Sequence, residues 1–332
     1  MKTVVVGSGA WGTALAIRLY KNGHDVTIWT FEKELIPQME QTRRNPRLPE
    51  AELPEGIAIS PDYACVAGSD LVVVAAPSFP IRSVCRGIAP HLDASTVVVC
   101  VTKGLEDGTL LRMSEVVAQE TGHTVVALTG PSHAEEVSKD IPTACVAACH
   151  DQMLAEFVQK AFVSDNFRIY TSPDVVGAEL GGALKNVIAL CAGVVDGLGY
   201  GDNTKAMLMT RGLTEMARLG VSLGANKETF AGLTGIGDLI VTCTSMHSRN
   251  NRAGILIGQG KSPEEAMKEV GAVVEGYYAA ESIHQLAERE GVEMPICQRI
   301  YEVLYCGKQA KDVVRELMTR AKKDELLEKS WL

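Results

Sequence analysis

This chain of 332 residues has no surplus of positive charge and no Cys-x-x-Cys pair. Its formal net charge is −9. A nucleic-acid binder presents a basic face, so nucleic acid is not an expected partner. An anionic ligand would need the positive charge gathered in one pocket. The apolar stretches 71–77 and 97–101 are strand-length, far short of the about 18 residues of a membrane helix, and no membrane insertion is expected. The nine cysteines are an odd number and sit mostly inside apolar runs, where a free thiol behaves as a small hydrophobe. That usage disfavours a disulfide framework or a structural zinc site and suits a reducing, cytoplasmic location. No secretory leader is expected, because Lys2-Thr3 runs at once into strand and glycine loop. Lys323-Asp324-Glu325-Leu326 spells an ER-retention signal, but six residues follow it, which removes that meaning. H-E-x-x-H, G-x-S-x-G and a Tyr followed four residues later by Lys are all missing, and the seven histidines are scattered. Zinc hydrolysis, serine-nucleophile chemistry and the short-chain dehydrogenase pair are therefore unsupported, and no metal is expected.

What the chain does have is 46% hydrophobic and 22% charged residues, enough to bury real cores, and a length that suits two domains. Its first half alternates strand and helix. Strands are predicted at 3–6, 25–29, 71–76, 96–101, 124–129 and 143–148, several apolar on both faces, as in a parallel sheet covered by helices. Residues 43–56, with three prolines and mixed charge, read as a surface loop. From Ser172-Pro173 helical periodicity takes over, over 176–197, 204–223, 263–270, 275–289, 295–305 and 309–321. The expected fold is α/β: a doubly wound Rossmann-type parallel sheet over 1–172, followed by an all-helical substrate-binding domain over 173–332.

Between the first strand and helix lies Gly7-Ser8-Gly9-Ala10-Trp11-Gly12, a G-x-G-x-x-G loop. Its glycines serve a tight turn, a close approach to pyrophosphate and close helix–strand packing, and the helix start faces the phosphates. Glu32 stands about 20 residues on, where an acid holds the adenosine ribose, with Phe31 beside it for adenine and Lys33 as the only close cation. NAD is favoured over NADP.

Lys185 lies in a helix that is otherwise apolar nearly all round, beside Gly181-Gly182. Burying an unpaired ammonium is costly, so a lysine there is paired or working. Desolvation favours its neutral form, which suits proton exchange with an alcohol or ketone oxygen. Lys103 follows a predicted strand at the sheet's carboxyl edge. Gly130-Pro131-Ser132 opens a helix, with Ser132 and Glu135 spaced as a capping box. Gly235-Ile236-Gly237 allows Asp238 to point inward, and Ser248-Arg249-Asn250 offers donors to phosphate or carboxylate. Cys243 reads as a buried thiol, and Arg211 with Glu215 as a helical ion pair.

Together these segments resemble the bacterial type of NAD(P)-dependent glycerol-3-phosphate dehydrogenase. The matching stretches are GSGAWGTALA (7–16), VTKGLE (101–106), LTGPSHAEEV (128–137), ELGGALKNVIA (179–189), TRGLTEMARLG (210–220), GLTGIGDLIVTC (232–243), SRNNR (248–252), VVEG (273–276) and VEMPICQRIYEVLY (292–305), in the family's order over nearly the whole chain. The resemblance implies interconversion of dihydroxyacetone phosphate and sn-glycerol 3-phosphate with NAD(P)H, a supply of glycerol 3-phosphate for glycerophospholipid synthesis, and a homodimer. It puts the proton donor/acceptor on Lys185 and substrate contacts on Lys103, Gly130, Ser132, Asp238, Ser248, Arg249 and Asn250, with Asn186 beside the lysine. Cofactor contacts fall on Ala10, Trp11, Phe31, Lys103, Ala134, Arg249, Val273 and Glu275.

The chain departs from the family pattern in three places. Ser and Ala have exchanged places in the loop as Gly7-Ser8-Gly9-Ala10, Phe31-Glu32 looks closer to NAD-using eukaryotic enzymes, and Ser245-Met246-His247 replaces a more polar stretch. These bear on cofactor preference rather than on the reaction. Related dehydrogenases acting on 3-hydroxyacids, 6-phosphogluconate or ketopantoate remain an alternative, although they space Lys and Asn as K-x-x-x-N whereas Lys185 and Asn186 are adjacent. A non-enzymatic NADH sensor would need a basic partner-binding module, which is not found.

Overall fold

The computed structural model describes residues 1–321; the tetrapeptide Lys323–Leu326 lies outside the described residues. Among the described residues there are ten strands: β1 (Lys2–Val6), β2 (Asp25–Trp29), β3 (Arg44–Asn45), β4 (Leu48–Glu52), β5 (Ala58–Ser60), β6 (Leu71–Val74), β7 (Val97–Cys100), β8 (Val125–Thr129), β9 (Thr143–Ala148) and β10 (Phe167–Ser172). The helices are α1 (Ala10–Lys21), α2 (Ile36–Thr42), α3 (Ile81–Ile88), α4 (Met113–Thr121), α5 (Ala134–Val137), α6 (Gln152–Phe162), α7 (Val175–Gly197), α8 (Asp202–Ser222), α9 (Asp238–Thr244), α10 (Arg249–Gly258), α11 (Pro263–Val270), α12 (Glu275–Glu290), α13 (Pro295–Tyr305) and α14 (Ala310–Met318).

Eight strands form one sheet in the order β10-β9-β8-β7-β6-β1-β2-β5. The strand order reverses at β1, with β6 on one side and β2 on the other, and such a switch point is where open α/β sheets bind ligands. Val-rich β6 and β7 are buried along their whole length, because helices cover both faces: α1 and α6 pack on one, α3 and α4 on the other.

The sheet is not wholly parallel. β8 pairs antiparallel with β9, Ala127 opposite Ala148, and β10 follows β9 in parallel. A parallel crossover needs a dozen or more residues, usually a helix of several turns. Between β8 and β9 the chain makes only the single turn α5 before returning. Two further strands escape the expected pattern. β5 is a three-residue edge and β10 alternates in burial, so neither shows an unbroken apolar run. Residues 43–56 are not simply a surface loop, since β3 and β4 form a small antiparallel hairpin there.

After β10 ends at Ser172 the described chain is helical. Helix α7 has 20 of its 23 residues buried and forms the axis of a third core, with α8, α9, α10, α12 and α13 around it. It is long and apolar enough to cross a membrane, yet 94% of its apolar window is buried inside the protein. Its contact with α10 is backbone on backbone. A Cβ on Gly193 would lie 2.0 Å from the Asn251 carbonyl oxygen, and one on Gly254 2.1 Å from that of Leu190; Gly197 and Gly258 face each other in the same seam.

Candidate active site

The glycine loop turns sharply at the carboxyl end of β1. Gly7 has φ +127° and a Cβ there would sit 2.7 Å from the Ala75 carbonyl, so only glycine serves. A Cβ on Gly12 would meet the Gly7 carbonyl oxygen at 2.1 Å, which is how α1 presses onto the strand, whereas around Gly9 the space is open. Gly9 is the N-cap of α1 and no side chain caps that end. The first-turn N–H groups are thus left facing the open side, as a pyrophosphate requires. The exchanged Ser8 hydroxyl is not turned to that side: it is buried and hydrogen-bonded to the Thr30 hydroxyl at 2.6 Å, tying the loop to the end of β2. Ala10 and Trp11 pack against the sheet core. The loop thus fits a dinucleotide by its own geometry.

At the adenosine end Phe31 is 79% exposed, a face free to cover a base. Glu32 is held, but by a residue far along the chain. The Arg47 guanidinium forms an ion pair with the Glu32 carboxylate, so Lys33 is not the only cation near that acid. Asn45 sets this geometry: fully buried, it donates to the Ser8 carbonyl at 2.8 Å and to the Thr13 hydroxyl at 2.7 Å, and its Oδ1 accepts the Arg47 N–H at 2.9 Å.

The centre of the site is one carboxylate and two lysines. A π-helical turn, Leu233–Gly237, feeds α9 and places Asp238 at its first residue, 1% exposed. Lys185 Nζ donates to Asp238 Oδ1 at 2.6 Å and Lys103 Nζ to Oδ2 at 2.6 Å. Lys103 also donates to the Gly130 carbonyl at 3.0 Å. Gly181 and Gly182 of α7 make this convergence possible: a Cβ on the first would meet the Thr234 carbonyl, and one on the second the Thr129 hydroxyl and the Lys103 stem. Burial, with Lys103 adding to it, lowers the Lys185 pKa from 10.5 to about 8 despite the opposing pull of Asp238. Burial by itself would raise the Asp238 carboxyl, but the charges of Lys103 and Lys185 hold it below the ordinary aspartate range.

One partner of Lys185 and one neighbouring charge-sensitive group were not singled out in the sequence. Thr242 accepts from Lys185 Nζ at 2.7 Å while donating to the Asp238 carbonyl at 2.6 Å; its place four residues after Asp238 on a helix was the available signal. His133 has a buried Nε2 without a hydrogen-bond partner, and burial plus the charge of Lys185 lower its pKa.

Other predicted residues take different places. Ser132 and Glu135 form no capping box: α5 begins after His133, and the Ser132 hydroxyl turns back to donate to the Gly130 carbonyl at 2.9 Å. Ser248 is the N-cap of α10, accepting the Asn251 N–H, and leaves Arg249 exposed at the helix start. Asn186 and Asn250 are buried against each other, Asn250 Nδ2 donating to Asn186 Oδ1 at 3.0 Å, while Asn250 Oδ1 accepts the Gly276 N–H at 2.8 Å. That bond seats the start of α12, where half-buried Glu275 accepts from Ser78 at 3.1 Å; burial raises its pKa. Val273 precedes this start and Ala134 opens α5. Glu215 is held in another way than the expected helical pair with Arg211: its buried carboxylate accepts the N–H groups of Ile296 and Cys297 at the start of α13. Cys243 is buried and free, and burial pushes its thiol up to about 12.

The chain that brings Lys103, Lys185 and Asp238 together behind this glycine loop matches two family models. The N-terminal model of NAD-dependent glycerol-3-phosphate dehydrogenase covers residues 2–155 and the C-terminal model residues 174–315. The chain belongs to that family. It is therefore an enzyme of the dehydrogenase class that works with a nicotinamide dinucleotide. It is similar to glycerol-3-phosphate dehydrogenase [NAD(P)+] of Thermoanaerobacter sp. strain X514, 52% identical over 98% of this chain and 99% of that one. The protein of the same name from Fusobacterium nucleatum is 50% identical over the full length of both. Among solved structures, glycerol-3-phosphate dehydrogenase from Coxiella burnetii superposes with a TM-score of 0.92 at 36% identity, covering 96% of this chain and 99% of that one.

Proposed function

We propose that this enzyme reduces dihydroxyacetone phosphate to sn-glycerol 3-phosphate, and the reverse, supplying glycerol 3-phosphate for glycerophospholipid synthesis. Residues 1–172 would hold the dinucleotide and 173–332 the substrate. The observation that carries the reading is the single buried carboxylate of Asp238 between Lys103 and Lys185. The substrate is that of the similar glycerol-3-phosphate dehydrogenases.

The nicotinamide, when bound, supplies or accepts the hydride. The chain's own residues manage charge and protons. As the ketone carbon is reduced, negative charge develops on its oxygen, and the Lys185 ammonium, with a pKa near 8, delivers a proton there. Asp238 fixes that ammonium, and Lys103 adds positive potential in a site sheltered from water. Asn186 and Asn250 tie α7, α10 and α12 together; on this reading Arg249, Ser248 and the turn at Gly130 and Ser132 would receive the substrate and its phosphate. A dianionic phosphate suits this local positive cluster within an acidic protein. We favour NAD on the strength of Glu32 at the ribose position, a cytoplasmic homodimer without membrane insertion, and no nucleic-acid partner. Following NADH oxidation at 340 nm with dihydroxyacetone phosphate, then with unphosphorylated dihydroxyacetone, tests the reading. Equal use of the two ketones would contradict it.

A further inference from the structure

We infer that Arg47 is the residue that decides whether a 2′-phosphate on the adenosine ribose is accepted, with Glu32 as its internal competitor. The inference rests on the nucleotide reading of the glycine loop. In such sites a carboxylate about 20 residues past the glycines takes the ribose 2′-hydroxyl, while an arginine takes a 2′-phosphate. Here both groups are present and bound to each other: Arg47 Nη2 pairs with one oxygen of Glu32 and Nε lies 3.4 Å from the other. The arginine comes from the β3–β4 turn rather than from the segment after β2, which is why motif spacing does not find it.

The turn is built, not incidental. Its base is the buried Asn45 amide, which is hydrogen-bonded to the glycine loop's own backbone at Ser8, to Thr13 in the first turn of α1, and to the Arg47 N–H. Arg47 is therefore referenced to the same loop that would seat the pyrophosphate. Its side chain is 52% exposed and that of Glu32 30%, so the pair is open to solvent and weak by itself. A surface ion pair of that kind opens readily when a dianion offers the guanidinium a bidentate alternative. Glu32, freed or paired, remains an acceptor for a 2′-hydroxyl. One pair of side chains thus serves NADPH and NADH, each residue masking the other when it is not in use.

The experiment compares the enzyme with Arg47→Leu and Glu32→Gln variants, titrating 2′,5′-ADP and 5′-ADP by calorimetry and measuring kcat/KM for NADPH and NADH. Loss of one partly exposed charge-assisted contact is worth about 1.4 kcal/mol, which is tenfold. Arg47→Leu is expected to weaken 2′,5′-ADP about ten-fold or more relative to 5′-ADP, and to lower the NADPH-to-NADH ratio of kcat/KM by a similar factor. Glu32→Gln should move both ratios the other way. An unchanged ratio in either variant, or equal loss with both nucleotides, overturns the assignment. An enzyme whose nucleotide ratios respond as stated but that leaves dihydroxyacetone phosphate untouched would sink the proposed reaction and not this inference.

Discussion

Lys185 and Asp238 meet at 2.6 Å in a place where almost no water reaches either of them. An ammonium in that position is neutralised but not satisfied, since Thr242 and one carboxylate oxygen take only two of its three protons. In the proposed mechanism the third is the one that goes to a substrate oxygen.

Replacing Lys185 with Met keeps the volume and removes that proton. kcat for ketone reduction should fall by at least about 10²-fold, the scale of general acid–base catalysis. Stopped-flow or steady-state rates on the folded variant check it, and turnover close to that of the parent would remove Lys185 from the mechanism.

The direction of the pH profile follows from the Lys185 pKa of about 8. Ketone reduction needs the ammonium, so its rate falls as pH rises through about 8; alcohol oxidation needs the free amine and rises over the same interval. Asp238→Asn deletes the anion that holds the proton, which moves both limbs to lower pH by about one unit or more. Profiles that do not move would mean that another group titrates.

Arg249→Ala should act on phosphate binding. Charge-assisted hydrogen bonds contribute about 1.5–3 kcal/mol, so KM for dihydroxyacetone phosphate rises about ten- to a hundred-fold, and KM for unphosphorylated dihydroxyacetone hardly changes. A shift shared by both ketones would place Arg249 elsewhere.

Glu215 makes stability depend on pH. Burial raises its folded pKa from 4.5 to about 7, against the backbone N–H groups that lower it. The folded protein then binds more protons than the unfolded chain between those values, and stability declines as pH rises from about 4.5 to 7, at no more than about 1.4 kcal/mol per unit. Glu215→Gln stays neutral throughout. Its melting temperature should fall less than the parent's over that window and gain on it at pH 8, as calorimetry would show; parallel curves would exclude this group as the source.

Much of the sheet was legible because β6, β7 and β8 are apolar on both faces, a pattern that only burial under helices explains. The β3–β4 hairpin was not, since Pro49 and mixed charge conceal two short strands. Helices α9 and α10 were missed for a related reason: Gly237, Thr242, Ser248 and Asn250 are poor helix formers, placed there for what they hold. Lys185 could be read from its wrongness in an apolar helix. Its distance to Lys103 could not, because Lys103, Lys185 and Asp238 come from three separate segments that meet through the Asp238 carboxylate and the close approach at Gly182. Arg47 was hidden for the same reason, since Asn45 brings it to Glu32 through contacts no linear spacing records.

The glycine seam between α7 and α10 limits what this enzyme can become. Arg249 and Asn250 ride on one helix and Lys185 and Asn186 on the other, and where the two touch there is no room for even a methyl group. A lineage cannot widen that spacing by a single substitution, because any larger residue on one helix collides with the backbone of the other. New substrates would have to be won away from that seam, while the spacing between the helix that carries Arg249 and the helix that carries Lys185 passes unchanged from ancestor to descendant.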